Sequence, residues 1–210
     1  MSPPPSPIPR PPRTSGWRSR EYLPHWDGGT VAQFITYRLA DALPLAVVGE
    51  LEEELVGVTE AERAMRLRDG FERHLDAGLG VAVLRDSECA SLVQEAFLHG
   101  DGERYRLLGW TVMPNHVHVV IEPLPTWSLA RIVHSWKSFT AHAILKTAAG
   151  AAAFPAGGRV WHREYWDRYI RDERHLADTL GYLALNPVRV GLCREAADWQ
   201  WSQVWRHGHG

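Results

Sequence analysis

The sequence of 210 residues is poor in cysteine and contains no long hydrophobic run. Its two cysteines, Cys89 and Cys193, stand far apart and have none of the paired spacings of zinc or redox motifs. This cysteine usage is typical of a reducing compartment, and we expect a cytoplasmic protein. No apolar stretch approaches the ~18 residues of a membrane helix. The proline-rich start also lacks the apolar core of a signal peptide, so we expect no membrane partner.

A strong excess of one charge is absent too, because 23 Lys and Arg stand against 25 Asp and Glu. The net charge of −2 argues against a uniformly basic nucleic-acid binder. The two halves nevertheless differ, with a net charge of −5 over residues 1–100 and +3 over residues 101–210. Eight of the ten tryptophans also lie in the second half. Cations interleaved with aromatic rings suit a single-stranded nucleic-acid surface, although core packing is the simpler explanation of the tryptophans.

The chain length fits one domain with a hydrophobic core. Eight prolines within the first 24 residues predict a flexible tail over residues 1–25, followed by a single domain over residues 26–206. Hydrophobic periodicity predicts strands over 31–39 and 161–170, and a hairpin over 105–122 that turns at Pro114 and Asn115. Helices are predicted over 50–75, 87–98, 128–146 and 172–185, with a loop over 148–158 and a stop at Pro187. This order predicts an α+β protein with a ferredoxin-like antiparallel sheet and helices on one face.

Two histidines, His116 and His118, stand two residues apart in the second strand of the hairpin. Side chains at this spacing point to the same face of a strand, with Cα atoms roughly 6–7 Å apart. Their imidazoles could therefore share one divalent ion. Two polar histidines on a solvent-facing strand would have the same pattern, and the spacing alone does not choose between the two interpretations.

The last predicted helix carries Tyr182 and Asn186 one turn apart. Leu176, Leu180 and Leu183 form the core stripe beside them. Tyr182 is either a half-buried packing residue or a phenol nucleophile next to an amide that helps to hold a metal ion. Because a phenol has a high intrinsic pKa, the second role requires activation or a metal-polarised target.

Three segments carry a resemblance to a known family, namely residues 112–120 (VMPNHVHVV), 161–173 (WHREYWDRYIRDE) and 182–192 (YLALNPVRVGL). Residues 34–44 (FITYRLADALP), the helix of Lys137 and residues 198–202 (DWQWS) match in the same order. The sequence thus resembles the REP-associated tyrosine transposases, IS200-like members of the single-tyrosine HUH transposase superfamily. The resemblance extends over almost everything except the predicted tail.

This resemblance implies that His116 and His118 are metal ligands on a central strand and that Tyr182 is the nucleophile. Asn186 stands where relatives often place a glutamine as third ligand, and its side chain is one methylene shorter. The implied cofactor is Mg²⁺ or Mn²⁺, of which Mn²⁺ accepts imidazole ligands more readily. The implied reaction cuts single-stranded DNA beside a REP-like hairpin through a 5′-phosphotyrosine and rejoins strands by transposase chemistry. The protein would act as a monomer or a homodimer.

Four cations are candidates for DNA contacts: Lys137, Arg163, Arg168 and Arg171. Exposed cations are more often solvated or paired with carboxylates, and only some of these are expected to meet phosphate. Two other functions stay open at this point. One is a non-catalytic hairpin DNA-binding protein of transposase descent. The other is an unrelated metal-binding or RNA-binding domain with structural Zn²⁺, for which two histidines without nearby cysteine form an incomplete ligand set.

Overall fold

The structure of the chain is a computed structural model that describes residues 16–19, 24–27, 29–43, 47, 59–155 and 158–204. A small hairpin of β1 (Gly16–Ser19) and β2 (Pro24–Asp27) precedes the main sheet. It falls within and just after the predicted tail, whose other residues lie outside the described part of the chain. Residues 50–58 of the first predicted helix also lie outside it.

The main sheet contains β3 (Gln33–Arg38), β4 (Tyr105–Val112), β5 (His116–Pro123), β6 (Trp166–Tyr169) and β7 (Ser202–Val204). Their spatial order is β6-β3-β5-β4-β7, and all neighbours are antiparallel. The first four of these strands have the order of a ferredoxin-like sheet, with β7 added at the β4 edge. The predicted α+β ferredoxin-like fold is confirmed. The predicted hairpin turn at Pro114 and Asn115 joins the two central strands.

Five α-helices are described: α1 (Glu60–Asp76), α2 (Ser87–His99), α3 (Leu129–Ile144), α4 (Ala148–Ala153) and α5 (Glu173–Arg189). Short 3₁₀ turns lie at Val83–Arg85 and Ala196–Asp198. Side-chain caps begin α2 and α3, where Asp86 accepts from the Cys89 N–H and Ser128 accepts from the Arg131 N–H. Such caps satisfy backbone donors that have no partner inside the helix.

The sheet has an apolar layer on each face. On one face α2 and α3 cover alternate strand residues such as Ile35, Tyr37 and Val119, as the prediction of helices on one face requires. The opposite face is covered by α5, and this corrects the prediction. The physical reason is that the second face is also apolar and needs covering. Its buried residues are Phe34, Leu108, Val120, Ile170, Leu180 and Leu183.

The predicted loop over 148–158 is wrong, because residues 148–153 form α4. Alanine has the highest helix propensity, and the Thr147 hydroxyl accepts from the Gly150 N–H at 2.9 Å to cap the helix. A Cβ atom built on Gly150 would lie 1.8 Å from the Ile144 carbonyl oxygen. Glycine is therefore required here by a close backbone approach inside a helix.

Two further boundaries differ from the sequence prediction. The last helix does not stop before Pro187 but continues to Arg189, because a proline so near the end removes only one backbone bond. The strand predicted over 161–170 is limited to Trp166–Tyr169. Upstream of it, Trp161 forms a single antiparallel bridge with Leu39, and the ring nitrogen of His162 accepts from the Glu164 N–H at 3.2 Å between this bridge and the strand.

Candidate metal and tyrosine site

The strand β5 lies between β3 and β4 and carries both histidines on the face that α5 covers. The register places Thr36 opposite His118 and Arg38 opposite His116. Both imidazoles are almost completely buried, with 1% and 0% of the residue exposed. The interpretation as solvent-facing surface histidines is therefore wrong.

Each imidazole uses its Nδ1 atom for a hydrogen bond within the protein. The Nδ1 of His116 lies 2.7 Å from the carboxamide oxygen of Asn115, and the Nδ1 of His118 lies 2.7 Å from the Thr36 hydroxyl. Because the Asn115 oxygen can only accept, the His116 proton belongs on Nδ1. The Asn186 amide nitrogen lies 3.2 Å from the His118 Nε2, which makes that Nε2 an acceptor. Both Nε2 atoms are then unprotonated: the lone pair of His116 is free, and that of His118 accepts from Asn186.

The two Nε2 atoms converge to 3.1 Å from each other. Two nitrogen ligands bound at ~2.0–2.1 Å to one ion stand about 2.9–3.4 Å apart, so the pair has the separation of two ligands of one metal ion. Burial lowers the pKa of His116 to about 3. Burial, followed by His116 and Arg189, lowers the pKa of His118 well below its ordinary value. Both rings are therefore neutral at pH 7, which is the form that binds metals.

Helix α5 brings Asn186 to the same point. Asn186 is fully buried, and its Oδ1 has no hydrogen-bond partner among the described residues. When an ion is bound, a half-turn of the carboxamide would break the bond from its nitrogen to the His118 Nε2 and turn its oxygen toward the imidazoles. An oxygen donor is thus available beside the two imidazoles, and the donor set fits a divalent ion. Asn186 can reach the histidines despite its shorter side chain.

The ring of Tyr182 lies against the same histidine. Its edge meets His118 with ring centroids 5.5 Å apart, and it meets Phe34 at 6.1 Å. Burial raises the pKa of the Tyr182 phenol, and Glu72 and Asp76 raise it further. Arg189 opposes these effects from 5.2 Å above the ring. The tyrosine and the histidine pair thus meet within a single chain.

The end of α1 contributes a carboxylate that the sequence analysis missed. The Oδ1 atom of Asp76 lies 3.9 Å from the His116 Nε2. The described residues contain no cluster of three or more His, Cys, Asp or Glu side chains with metal-binding spacing. A ligand set at this site must therefore include a group of another kind, such as the Asn186 amide.

The four candidate DNA-binding cations fall into two separate groups. Lys137 lies on α3, with its ammonium 6.0 Å from the Tyr37 ring, and donates to the Arg163 carbonyl at 2.8 Å. Arg168 lies on β6 opposite Phe34, with its guanidinium 5.7 Å from that ring, and so shares the histidine face. Arg171 is exposed just before α5, and its backbone N–H donates to the Nδ1 atom of His175 at 3.2 Å. A role in DNA binding stays a prediction for all four.

Thr36, Asp76 and Arg189 complete the surroundings of the site, and the sequence analysis proposed no role for any of them. Asn115 was expected only as a turn residue, yet it also orients His116. Arg189 follows Asn186 by three residues, but the helix was predicted to stop at Pro187, so the prediction did not place Arg189 beside it. Thr36 and Asp76 gave no local signal.

In the part of the chain that the structure describes, no helix has the length and apolarity that crossing a membrane requires.

Comparison with known proteins agrees with the sequence motifs. Residues 86–184 match the model of the family described as "Transposase IS200 like", and this segment includes His116, His118 and Tyr182 but neither Asp76 nor Asn186. A putative REP-associated tyrosine transposase of Haemophilus influenzae is 38% identical over 47 residues, which cover 22% of this chain and 27% of that protein. A REP-associated tyrosine transposase of Escherichia coli is 24% identical over 110 residues, covering 49% of this chain and 56% of that protein.

The chain thus spans about a quarter and about half the length of these two curated relatives. A solved structure of a REP-associated tyrosine transposase bound to a REP hairpin superposes with a TM-score of 0.52. The match covers 88% of this chain and 82% of the other at 15% sequence identity, so it supports the fold. The resemblance drawn from the sequence motifs is confirmed, since residues 86–184 are similar to the IS200-like transposase family.

Proposed function

We propose that the protein is a metal-dependent endonuclease and strand transferase that acts on single-stranded DNA beside a REP-like hairpin. The observation that carries this proposal is the packing of the Tyr182 ring against His118, whose Nε2 converges with that of His116 at 3.1 Å. A nucleophile next to a candidate metal site is the arrangement that phosphodiester cleavage by a tyrosine needs. The fold-level similarity to a hairpin-bound transposase supports the substrate class.

His116, His118 and Asn186 are the residues that would hold Mg²⁺ or Mn²⁺. When bound, such an ion polarises a phosphodiester and stabilises negative charge on its non-bridging oxygens. The hydrogen bonds of the Nδ1 atoms to Asn115 and Thr36 fix the ring orientations, so that both Nε2 atoms face the same point. The burial of both rings keeps them neutral and available.

Tyr182 is the proposed nucleophile. Its phenol oxygen loses a proton and attacks the phosphorus, a Tyr182–phosphate ester forms, and the bond from phosphorus to the 3′ oxygen breaks. The leaving 3′ oxygen takes up a proton, so the products are a 5′-phosphotyrosine and a free 3′-OH. A later attack by a 3′-OH on this ester restores a phosphodiester and releases Tyr182. One ester replaces another at each step, so no external energy source is required.

Arg189 supports the nucleophile in this scheme. Its guanidinium lies over the Tyr182 ring and lowers the pKa of a phenol that burial otherwise raises. A cation at this position stabilises the phenolate more than the neutral phenol. It would also meet the negative charge that develops on the phosphate during attack.

The predicted DNA contacts of this proposal are Lys137, Arg163, Arg168 and Arg171. Arg168 lies on the histidine face of β6, and Arg171 lies just before α5, the helix that carries Tyr182. Lys137 and Arg163 lie beside a cavity of about 500 Å³ between α3 and the segment before β6. Substitution of cations that contact only phosphate should weaken binding of all sequences equally and reduce its salt dependence.

The test incubates the purified protein with labelled single-stranded oligonucleotides that carry hairpins from DNA flanking its own gene, with Mn²⁺ or Mg²⁺. Denaturing gels would detect a covalent protein–DNA adduct. We expect the adduct with the wild type and its loss in Tyr182→Phe, His118→Ala and EDTA. Tyr169→Phe, which alters an exposed tyrosine on β6, is the matched control and should form the adduct. Hairpin binding without any adduct would instead favour a non-catalytic DNA-binding protein.

A further inference from the structure

The carboxylate of Asp76 ends α1 and faces the histidine pair. Its Oδ1 atom is buried, lies 3.9 Å from the His116 Nε2 and has no hydrogen-bond partner among the described residues. Removing a carboxylate oxygen from water without a partner is costly, so such an atom usually marks a charge partner or a ligand that is bound there. Asp76 also lies outside the segment that matches the transposase family model.

The position of Asp76 is fixed by Asn115. The Asn115 amide donates to the carbonyl oxygens of Leu75 at 3.2 Å and Leu79 at 2.9 Å, on either side of Asp76 in the chain. The oxygen of the same carboxamide accepts from the His116 Nδ1. One side chain therefore ties the end of α1 to the imidazole that Asp76 approaches. The contact is thereby built into the fold.

The distance between Asp76 and His116 suits two ligands of one ion. Ligand atoms bound at ~2.0–2.2 Å on one ion stand at most about 4.4 Å apart, and the observed 3.9 Å lies inside this limit. The charge of Arg189 also acts on Asp76, but the Oδ1 atom of Asp76 accepts no hydrogen bond among the described residues. A direct ion pair between Asp76 and His116 would require a proton on the His116 Nε2. That would place a positive charge on a ring with 1% of its surface exposed.

We propose that Asp76 is a fourth ligand of the divalent ion, and this rests on the proposed function. Asp76 adds to the two imidazoles the anionic oxygen that Mg²⁺ and Mn²⁺ prefer. With the Asn186 amide the donor set becomes two nitrogens and two oxygens. The negative charge of Asp76 offsets part of the charge of the ion, which no neutral ligand of the set can do.

The test titrates the metal-free full-length protein with Mn²⁺ and follows free Mn²⁺ by electron paramagnetic resonance, without DNA. Asp76→Asn keeps the shape of the side chain and removes its charge, and we expect Mn²⁺ binding at least tenfold weaker than in the wild type. Glu72→Gln is the matched control, because it removes a carboxylate one turn earlier on α1 that also acts on Tyr182. We expect a change of less than threefold for this control.

Equal weakening by both variants would mean that the effect is general electrostatics, and unchanged binding in Asp76→Asn would mean that the carboxylate is no ligand. Either result overturns the inference. In Asp76→Asn the melting temperature of the metal-free protein should be no lower than in the wild type. The increase of the melting temperature on adding Mn²⁺ should be smaller than in the wild type. A lower melting temperature without metal would indicate a structural role of Asp76 and would also overturn the inference. Adduct formation by the wild type tests the proposed function separately, so the two ideas can fail independently.

Discussion

At the scale of single residues, the geometry of the site depends on hydrogen bonds to the far side of each imidazole. Thr36 and Asn115 occupy the Nδ1 atoms of His118 and His116 and leave both Nε2 atoms facing one point. Such partners fix ring orientation, and their loss in metal sites typically lowers metal affinity ~10–100-fold. The two partners also differ in kind, since the amide of Asn115 anchors α1 as well as its histidine.

Thr36→Val tests this role of the hydroxyl. The substitution keeps the size of the side chain and leaves the buried Nδ1 of His118 without a partner. We expect a free energy of unfolding lower by about 1–3 kcal/mol and Mn²⁺ binding weaker by ~10-fold or more. Urea denaturation and Mn²⁺ titration would measure the two effects.

Thr111→Val is the control for this prediction. Thr111 is a buried threonine on the other neighbour of β5, paired with the same His118, and its hydroxyl points to the Met113 sulfur at 3.9 Å. Its loss should leave Mn²⁺ binding unchanged. If both valine variants weakened metal binding alike, the hydroxyl of Thr36 would have no special role.

At the scale of elements, the position of α5 decides where the nucleophile lies. The helix crosses β4 at Gly109, where an added Cβ would lie 2.9 Å from the Leu180 Cδ2, 3.1 Å from the Val204 Cγ1 and 3.2 Å from the Gln203 carbonyl oxygen. The absence of a side chain at Gly109 therefore lets the helix and the edge strand approach closely. Tyr182 and Asn186 lie further along the same rigid helix, so their positions depend on this contact.

Gly109→Ala should crowd the Leu180 side chain of α5 and the Gln203 carbonyl of β7. We expect a loss of about 1–3 kcal/mol in unfolding free energy, typical of an overpacked core, together with a reduced yield of the DNA adduct. Leu180→Ala removes the nearest obstructing atom. The double variant Gly109→Ala with Leu180→Ala should therefore be less destabilised than the sum of the two single variants, as measured by chemical denaturation. Strict additivity would show that the two residues do not compete for space.

At the scale of the whole molecule, stability is tied to two neutral histidines in the interior. Unfolding exposes them to water, where an imidazole has a pKa of about 6.5. For His116, whose pKa in the folded protein is about 3, the unfolded state binds a proton between these two values and the folded state does not. Its stabilising contribution is therefore complete above about pH 6.5 and declines as the pH falls toward 3.

Metal-free protein should accordingly lose stability on acidification from pH 6.5 to pH 5. The slope should be up to about 1.4 kcal/mol per pH unit for each buried histidine. Urea denaturation in EDTA at several pH values would measure it. His116→Gln removes one titrating group. The slope of the unfolding free energy over the same pH interval should therefore be shallower by the contribution of one bound proton, up to about 1.4 kcal/mol per pH unit. An unchanged slope in this variant would contradict the assignment of His116 as a buried neutral ring.

Much of the fold follows from local patterns. The period of two in β5 put His116 and His118 on one face, and the period of 3.6 in α5 put Tyr182 beside Asn186. The errors have local causes as well. Residues 148–153 were predicted as a loop because of their glycine, although their alanines favour a helix. Pro187 was predicted to end the last helix, which in fact continues to Arg189.

The sequence by itself determined the strand and helix that carry the reactive groups, the hairpin between the central strands and the resemblance to IS200-like transposases. These features depend on spacings of a few residues. Only the tertiary structure decided which helix covers which face, and which groups surround the histidines. Thr36 meets His118 across 82 residues, and Asn115 holds the end of α1 across 40. Contacts at such separations arise from strand register and from the packing of two apolar faces, and no short pattern in the chain encodes them.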